Sequence, residues 1–104
     1  MEKFTFTHAV AKKAAGEKKQ VLVGVVASGN LEVLGERDLP DDKCTVKVST
    51  AAHGFGEVWQ SVVADFIARA SPGGLKFSIN DGGARPDTVM LRLMQAAYAL
   101  EKDA

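Results

Sequence analysis

Three stretches of this chain alternate apolar and polar residues with a period of two, and that alternation restricts the fold more than any other feature. Phe4-Thr5-Phe6-Thr7-His8, Cys44 to Ser49, and Leu75 to Asn80 each put their large apolar side chains on one side of an extended backbone. Strands with one apolar and one polar face need a second layer on the apolar side only. The candidates for that layer are two stretches of helical period. One carries Phe55, Val58, Trp59, Val62, Phe66 and Ile67, and stops at Ser71-Pro72-Gly73-Gly74. The other starts at Pro86, which suits a first helical turn, and carries Val89, Leu93, Ala97 and Leu100.

Val21 to Val26 does not alternate. Its β-branched residues on both sides of Gly24 predict a central strand covered on both faces. Ser28-Gly29-Asn30 then interrupts the run before Leu31-Glu32-Val33-Leu34, predicting a two-residue hairpin with positive φ at Gly29. Between the first two strands, Ala9 to Gln20 is small and basic, with Lys12, Lys13, Lys18 and Lys19 around Gly16, and reads as a mobile, solvated connection. The element order is ββββαβα, and the expected fold is α+β: a two-layer sandwich of a mostly antiparallel sheet with two helices on one face. At 104 residues, the chain is expected to form one domain, 1–104, with little surplus surface for a deep active site.

Thirteen basic and thirteen acidic residues cancel, so no overall field draws in nucleic acid or an anionic membrane. No apolar run reaches the ~20 residues of a membrane span, and MEKFTFTHAV lacks the apolar centre of a signal peptide, so the reading is cytoplasmic. The single cysteine, Cys44, falls on the apolar side of its strand and is expected to be a buried, inert thiol. His8 and His53 lie on different elements, which predicts no metal site. Met90 and Met94 are expected at the core or a subunit contact.

If each short connection reverses the chain, Ser28, His53, the Asp81-Gly82-Gly83-Ala84-Arg85 loop and both helix N-termini gather at one end. The lysine-rich connection falls at the other, ~25 Å away at ~3.3 Å per residue. Helix N-termini and Arg85 make the first end suited to phosphates. On spacing alone Ser28 needs no function, since Ser, Gly and Asn are ordinary turn formers. A serine hydrolase using Ser28, His53 and Asp81 is open at this point, although the strand-to-helix nucleophile elbow is missing. So is a small metabolite-binding regulatory module.

Val25-Val26-Ala27-Ser28-Gly29-Asn30-Leu31-Glu32-Val33-Leu34 and Ile79-Asn80-Asp81-Gly82-Gly83-Ala84-Arg85-Pro86 resemble the two signature stretches of the malonate decarboxylase acyl carrier proteins, and more distantly the citrate lyase acyl carrier subunit. Ala27 stands where that family usually has glycine, and Asn30 where it usually has aspartate. The resemblance implies a non-catalytic carrier with a covalent phosphoribosyl-dephospho-CoA group, phosphodiester-linked to Ser28 and supported by Gly29, Asn30, Asp81 and Arg85. It further implies acetyl and malonyl thioesters on that group, acyltransferase and decarboxylase partner subunits, and a transferase that attaches the cofactor.

Overall fold

In the computed structural model, which describes residues 1–102, the alternating stretches become strands of one five-stranded sheet. The elements are β1 (Glu2–Ala9), β2 (Gln20–Gly24), β3 (Leu31–Arg37), β4 (Lys43–Thr50), α1 (Gly56–Ala70), β5 (Leu75–Asp81) and α2 (Pro86–Glu101). The strand order is β1-β4-β5-β3-β2. Three ladders are antiparallel; β4 and β5, joined through α1, are parallel. The ββββαβα order and the α+β class are those expected from periodicity.

Both helices cover one face. Val33, Val46, Phe77 and Ile79 point from the sheet into a core that receives Trp59, Val63 and Phe66 from α1 and Val89, Leu93 and Leu100 from α2. Each fully buried side chain of this size contributes ~1.5–3 kcal/mol by leaving water. Phe66 meets Phe77 edge to face, with centroids 5.2 Å apart at 87°, tying α1 to the middle of the sheet. The opposite face is largely polar. Thr7 and Thr45 share a hydroxyl bond there, and the Asn80 amide donates to Glu32. Cys44 is buried in the core, and burial pushes its thiol pKa up to about 12. At neutral pH the group is a small hydrophobe with no thiolate to react.

The structure corrects three expectations. Val21 to Val26 is no central strand: β2 is an edge strand ending at Gly24, with Leu22 62% exposed on the open face. Gly24 adopts φ +81°, and a Cβ there would lie 2.2 Å from the Leu31 carbonyl oxygen. The chain leaves the ladder at that point, so Val25 and Val26 are over half exposed. An unbroken apolar run cannot by itself distinguish burial on both faces from this arrangement.

The apolar stripe of α1 is also rotated from its expected position. Trp59, Val63, Phe66 and Ile67 are buried, whereas Phe55 and Val58 stand 51% and 40% exposed. The third correction concerns residues 9–20, which are pinned. Val10 and Ala14 are buried, the Val10 N–H donates to Asp42, and Ala14 and Gly73 are linked through backbone bonds that include Lys12. Arg37 closes this end of the molecule. Its guanidinium donates to the carbonyls of Lys18, Ala14, Ala15 and Leu100 at 2.7–3.1 Å, holding the basic segment against the last turn of α2. Burial raises the nearby Glu101 carboxyl pKa, with Arg37 pulling it the other way.

Hydrogen bonds from a charged donor contribute ~1.5–3 kcal/mol each when buried and less when solvated, so Arg37→Ala should cost about 2–4 kcal/mol of unfolding free energy. Arg37→Lys should recover only a minor part, because an ammonium cannot reach four carbonyls in one plane. Urea unfolding of the three proteins checks this; a loss below ~0.5 kcal/mol for Arg37→Ala would show that the latch is not needed.

Candidate functional site

The strand register fixes what meets at the end of the sheet. Leu31 pairs with Asp81, Thr50 pairs with Asp81 on the other side, and Gly24 pairs with Glu32. The β2–β3 loop, the β5–α2 loop and the β4–α1 loop therefore emerge side by side, and both helices start there. This is the gathering expected from chain reversal. The lysine-rich segment lies at the far end, as the ladder of β2 with β3 requires.

Ser28 sits in a six-residue loop, 25–30, in place of the expected two-residue hairpin. Within it, the Asn30 N–H donates to the Ala27 carbonyl at 3.0 Å, closing a turn whose third residue, Gly29, has φ +74°. Positive φ at Gly29 is as expected. The Asn30 side-chain oxygen accepts the Leu31 N–H at 2.8 Å. An aspartate could accept that same bond, so Asn30 preserves the turn without the charge. Ala27 does not have positive φ, and a methyl group is tolerated there.

The turn is docked onto the β5–α2 loop. The Gly29 N–H donates to the Gly82 carbonyl at 3.2 Å, and the Gly82 N–H donates to the Asn30 carbonyl at 2.9 Å. Only glycine fits at 82: an added Cβ would lie 2.2 Å from the Ala27 carbonyl oxygen. The two stretches singled out in the sequence thus form a single unit. Ser28 is exposed at its apex, and the space beside Gly29 is open to 4 Å.

Asp81 supports this unit from beneath. It is 4% exposed; Oδ2 accepts the Thr50 hydroxyl at 2.8 Å and Oδ1 accepts the Ala84 N–H at 2.9 Å. Its backbone carbonyl takes the Ala51 N–H, and Thr50 Oγ1 takes the Ala52 N–H. Both carboxylate oxygens are thus committed to holding the loops that flank β5. His53 is exposed, and among the described residues no hydrogen bond joins it to Ser28 or Asp81. Arg85, the N-cap residue of α2, extends into solvent and is 3.5 Å from the Asp87 carboxylate.

Sequence reasoning missed two residues here. Thr50 lies just beyond the expected strand, Cys44 to Ser49, and drew no notice there. Arg92 looked like an ordinary polar residue of α2, yet its Cδ approaches Gly24 at the base of the Ser28 loop. Its Nη1 donates to Gln95, while its buried Nε has no partner among the described residues. No local pattern signals either: Thr50 depends on the pairing of β4 with β5, and Arg92 on how α2 packs against β2.

The arrangement presents a hydroxyl on a braced turn. The Asp81 carboxylate beneath it is already occupied, and the Cys44 thiol is buried in the core. A hydroxyl held out in this way on a fixed backbone can serve as a point of attachment. Residues 18–100 match the family model described as malonate decarboxylase delta subunit, and the chain belongs to this family of acyl carrier proteins. It is 59% identical over 103 residues to the malonate decarboxylase acyl carrier protein of Bradyrhizobium diazoefficiens, covering 99% of this chain and 98% of that one. The corresponding Stenotrophomonas maltophilia protein is 54% identical over 80 residues, covering 77% of this chain and 76% of the other. One chain of the crystal structure of a Pseudomonas malonate decarboxylase hetero-tetramer in complex with malonate superposes with a TM-score of 0.84 at 34% identity, over 96% of this chain and 99% of that one.

Removing the Asp81 carboxylate strands a buried hydroxyl and a backbone N–H, so Asp81→Ala should lower unfolding free energy by about 3 kcal/mol. Amide spectra should show the change concentrated at Thr50, Ala52, Ala84 and the Ser28 loop. A loss below ~1 kcal/mol with those signals unmoved would contradict the bracing role.

Proposed function

We propose that this chain carries acetyl and malonyl groups for malonate decarboxylase on a phosphoribosyl-dephospho-CoA group joined to Ser28 through a phosphodiester. The observation that supports this most is the docked turn: it places the Ser28 hydroxyl at an exposed apex while its backbone stays fixed to the β5–α2 loop. A large substituent there displaces no core atom. Charge at this end also fits a phosphate-rich group. Arg85 is solvent-facing, with a guanidinium suited to phosphate oxygens.

When bound, the group supplies a terminal thiol that holds acyl units as thioesters. The chain's own residues do the rest. Ser28 Oγ provides the ester oxygen once, at attachment. Gly29 and Asn30 shape the turn, Asp81 braces it, and Arg85 faces the phosphates. Acid, base and electrophile come from partners: an acyltransferase subunit that exchanges acetyl for malonyl with release of acetate, and a decarboxylase subunit that removes carbon dioxide. A separate transferase attaches the group. Holding the acyl unit on a tether raises its effective concentration at each active site in turn. The carrier works in the cytoplasm as one domain, and contributes no catalytic residue.

Coexpression with the attachment enzymes should add the mass of one such group, mapped to the peptide containing Ser28. Ser28→Ala should show none and should leave the partner subunits without decarboxylation. Recovery of only unmodified chain, or of the modification on another residue, would overturn the assignment.

A further inference from the structure

Between the first turns of α1 and α2 runs a cleft of about 310 Å³. Trp59, Val62 and Val89 form its apolar wall, with Phe55 and Val58 exposed on one rim and Arg85 on the other. This is about the lower size limit of small-molecule sites, which begin near ~300 Å³, and its lining has the usual composition of a mostly apolar wall with a few polar groups.

Three observations define what fits. First, the N-cap residues of both helices, Phe55 and Arg85, line the cleft, and neither helix has a side-chain cap. The first intrahelical backbone bonds reach Trp59 and Val89, so first-turn N–H groups of α1 are left for an acceptor. In α2, by contrast, Pro86 has none and the Thr88 N–H donates to Asp87, leaving that of Asp87. Secondly, Arg85 adds a guanidinium whose ion-pair partner among the described residues, Asp87, is itself exposed. Thirdly, one wall is the Gly83–Arg85 segment of the loop to which the Ser28 turn is hydrogen-bonded. An arm attached at Ser28 therefore starts beside the cleft.

An occupant needs an apolar body and carbonyl acceptors along its length. We infer that the cleft between the α1 and α2 N-termini is the resting site of the pantetheine end of the chain's own prosthetic arm. The inference rests on the carrier reading and deepens it. The gem-dimethyl and methylene groups of pantetheine suit Trp59, Val62 and Val89, while its amide and thioester carbonyls suit the open N–H groups. Between visits to partner subunits the thioester lies against protein instead of water.

Trp59 is the chain's single tryptophan and lines the cleft, so it reports occupancy directly. Loaded protein, verified by intact mass, should differ from unmodified protein in Trp59 emission and in the methyl NMR shifts of Val58, Val62 and Val89. Val58→Glu places a charge on the exposed rim without touching the Ser28 turn. With the mass shift retained, it should return Trp59 emission toward the unmodified spectrum and make the arm's thiol react several-fold faster with a disulfide reagent. A loaded parent protein with unchanged Trp59 emission and methyl shifts would overturn the resting site while leaving the carrier reading intact. So would shifts that arise only after partner subunits are added. Failure to load at all would overturn both.

Discussion

Two backbone hydrogen bonds between the Ser28 turn and Gly82 are the contact on which the functional end depends. Without them, the turn would be a six-residue loop at the edge of a sheet, tied only through β2 and β3. With them, it becomes part of the β5–α2 connection. The contact demands a residue without a side chain at 82, and it demands that β3 and β5 be neighbours. The second condition is met because β4, α1 and β5 form a parallel unit in which β5 lies between β4 and β3. Asp81 then binds on both sides of β5, through Thr50 at the end of β4 and Ala84 before α2. One buried carboxylate thus ties together the loops that surround the serine.

The two ends of the molecule are built for different purposes. At the far end Arg37 satisfies four carbonyls and fixes the basic segment against the C-terminal turn of α2. At the serine end, by contrast, donors face outward: the first turn of α1 and the Arg85 guanidinium. Their concentration near a braced hydroxyl is understandable if an acceptor-rich group is to be held there. The Cys44 thiol, buried in the core, stays protonated at neutral pH.

Much of this was legible in the sequence wherever periodicity was clean. β1, β4, β5 and α2 follow directly from alternation or helical spacing, and the reversal of direction at each connection correctly brought Ser28, the Asp81–Arg85 loop and both helix starts together. What failed was the reading of features whose meaning depends on neighbours. Val21 to Val26 has the composition of a buried strand, but Gly24 ends the ladder and leaves its last two valines in solvent. Residues 9–20 look like a flexible linker because their lysines are exposed, while Val10 and Ala14 and the distant Arg37 fix them. The bracing role of Asp81 was likewise invisible, since Thr50 and Ala84 carry no pattern of their own.

If the serine turn and the β5–α2 loop act as one rigid unit, the Gly29 and Gly82 amide hydrogens must be protected from solvent exchange. Residue-resolved hydrogen exchange on the unmodified protein should find both protected to nearly the level of β3 and β5 amides. Gly82→Ala, which drives a methyl group toward the Ala27 carbonyl, should release Gly29 first. Exchange of Gly29 and Gly82 in the parent protein at the rate of an unstructured loop would contradict the account.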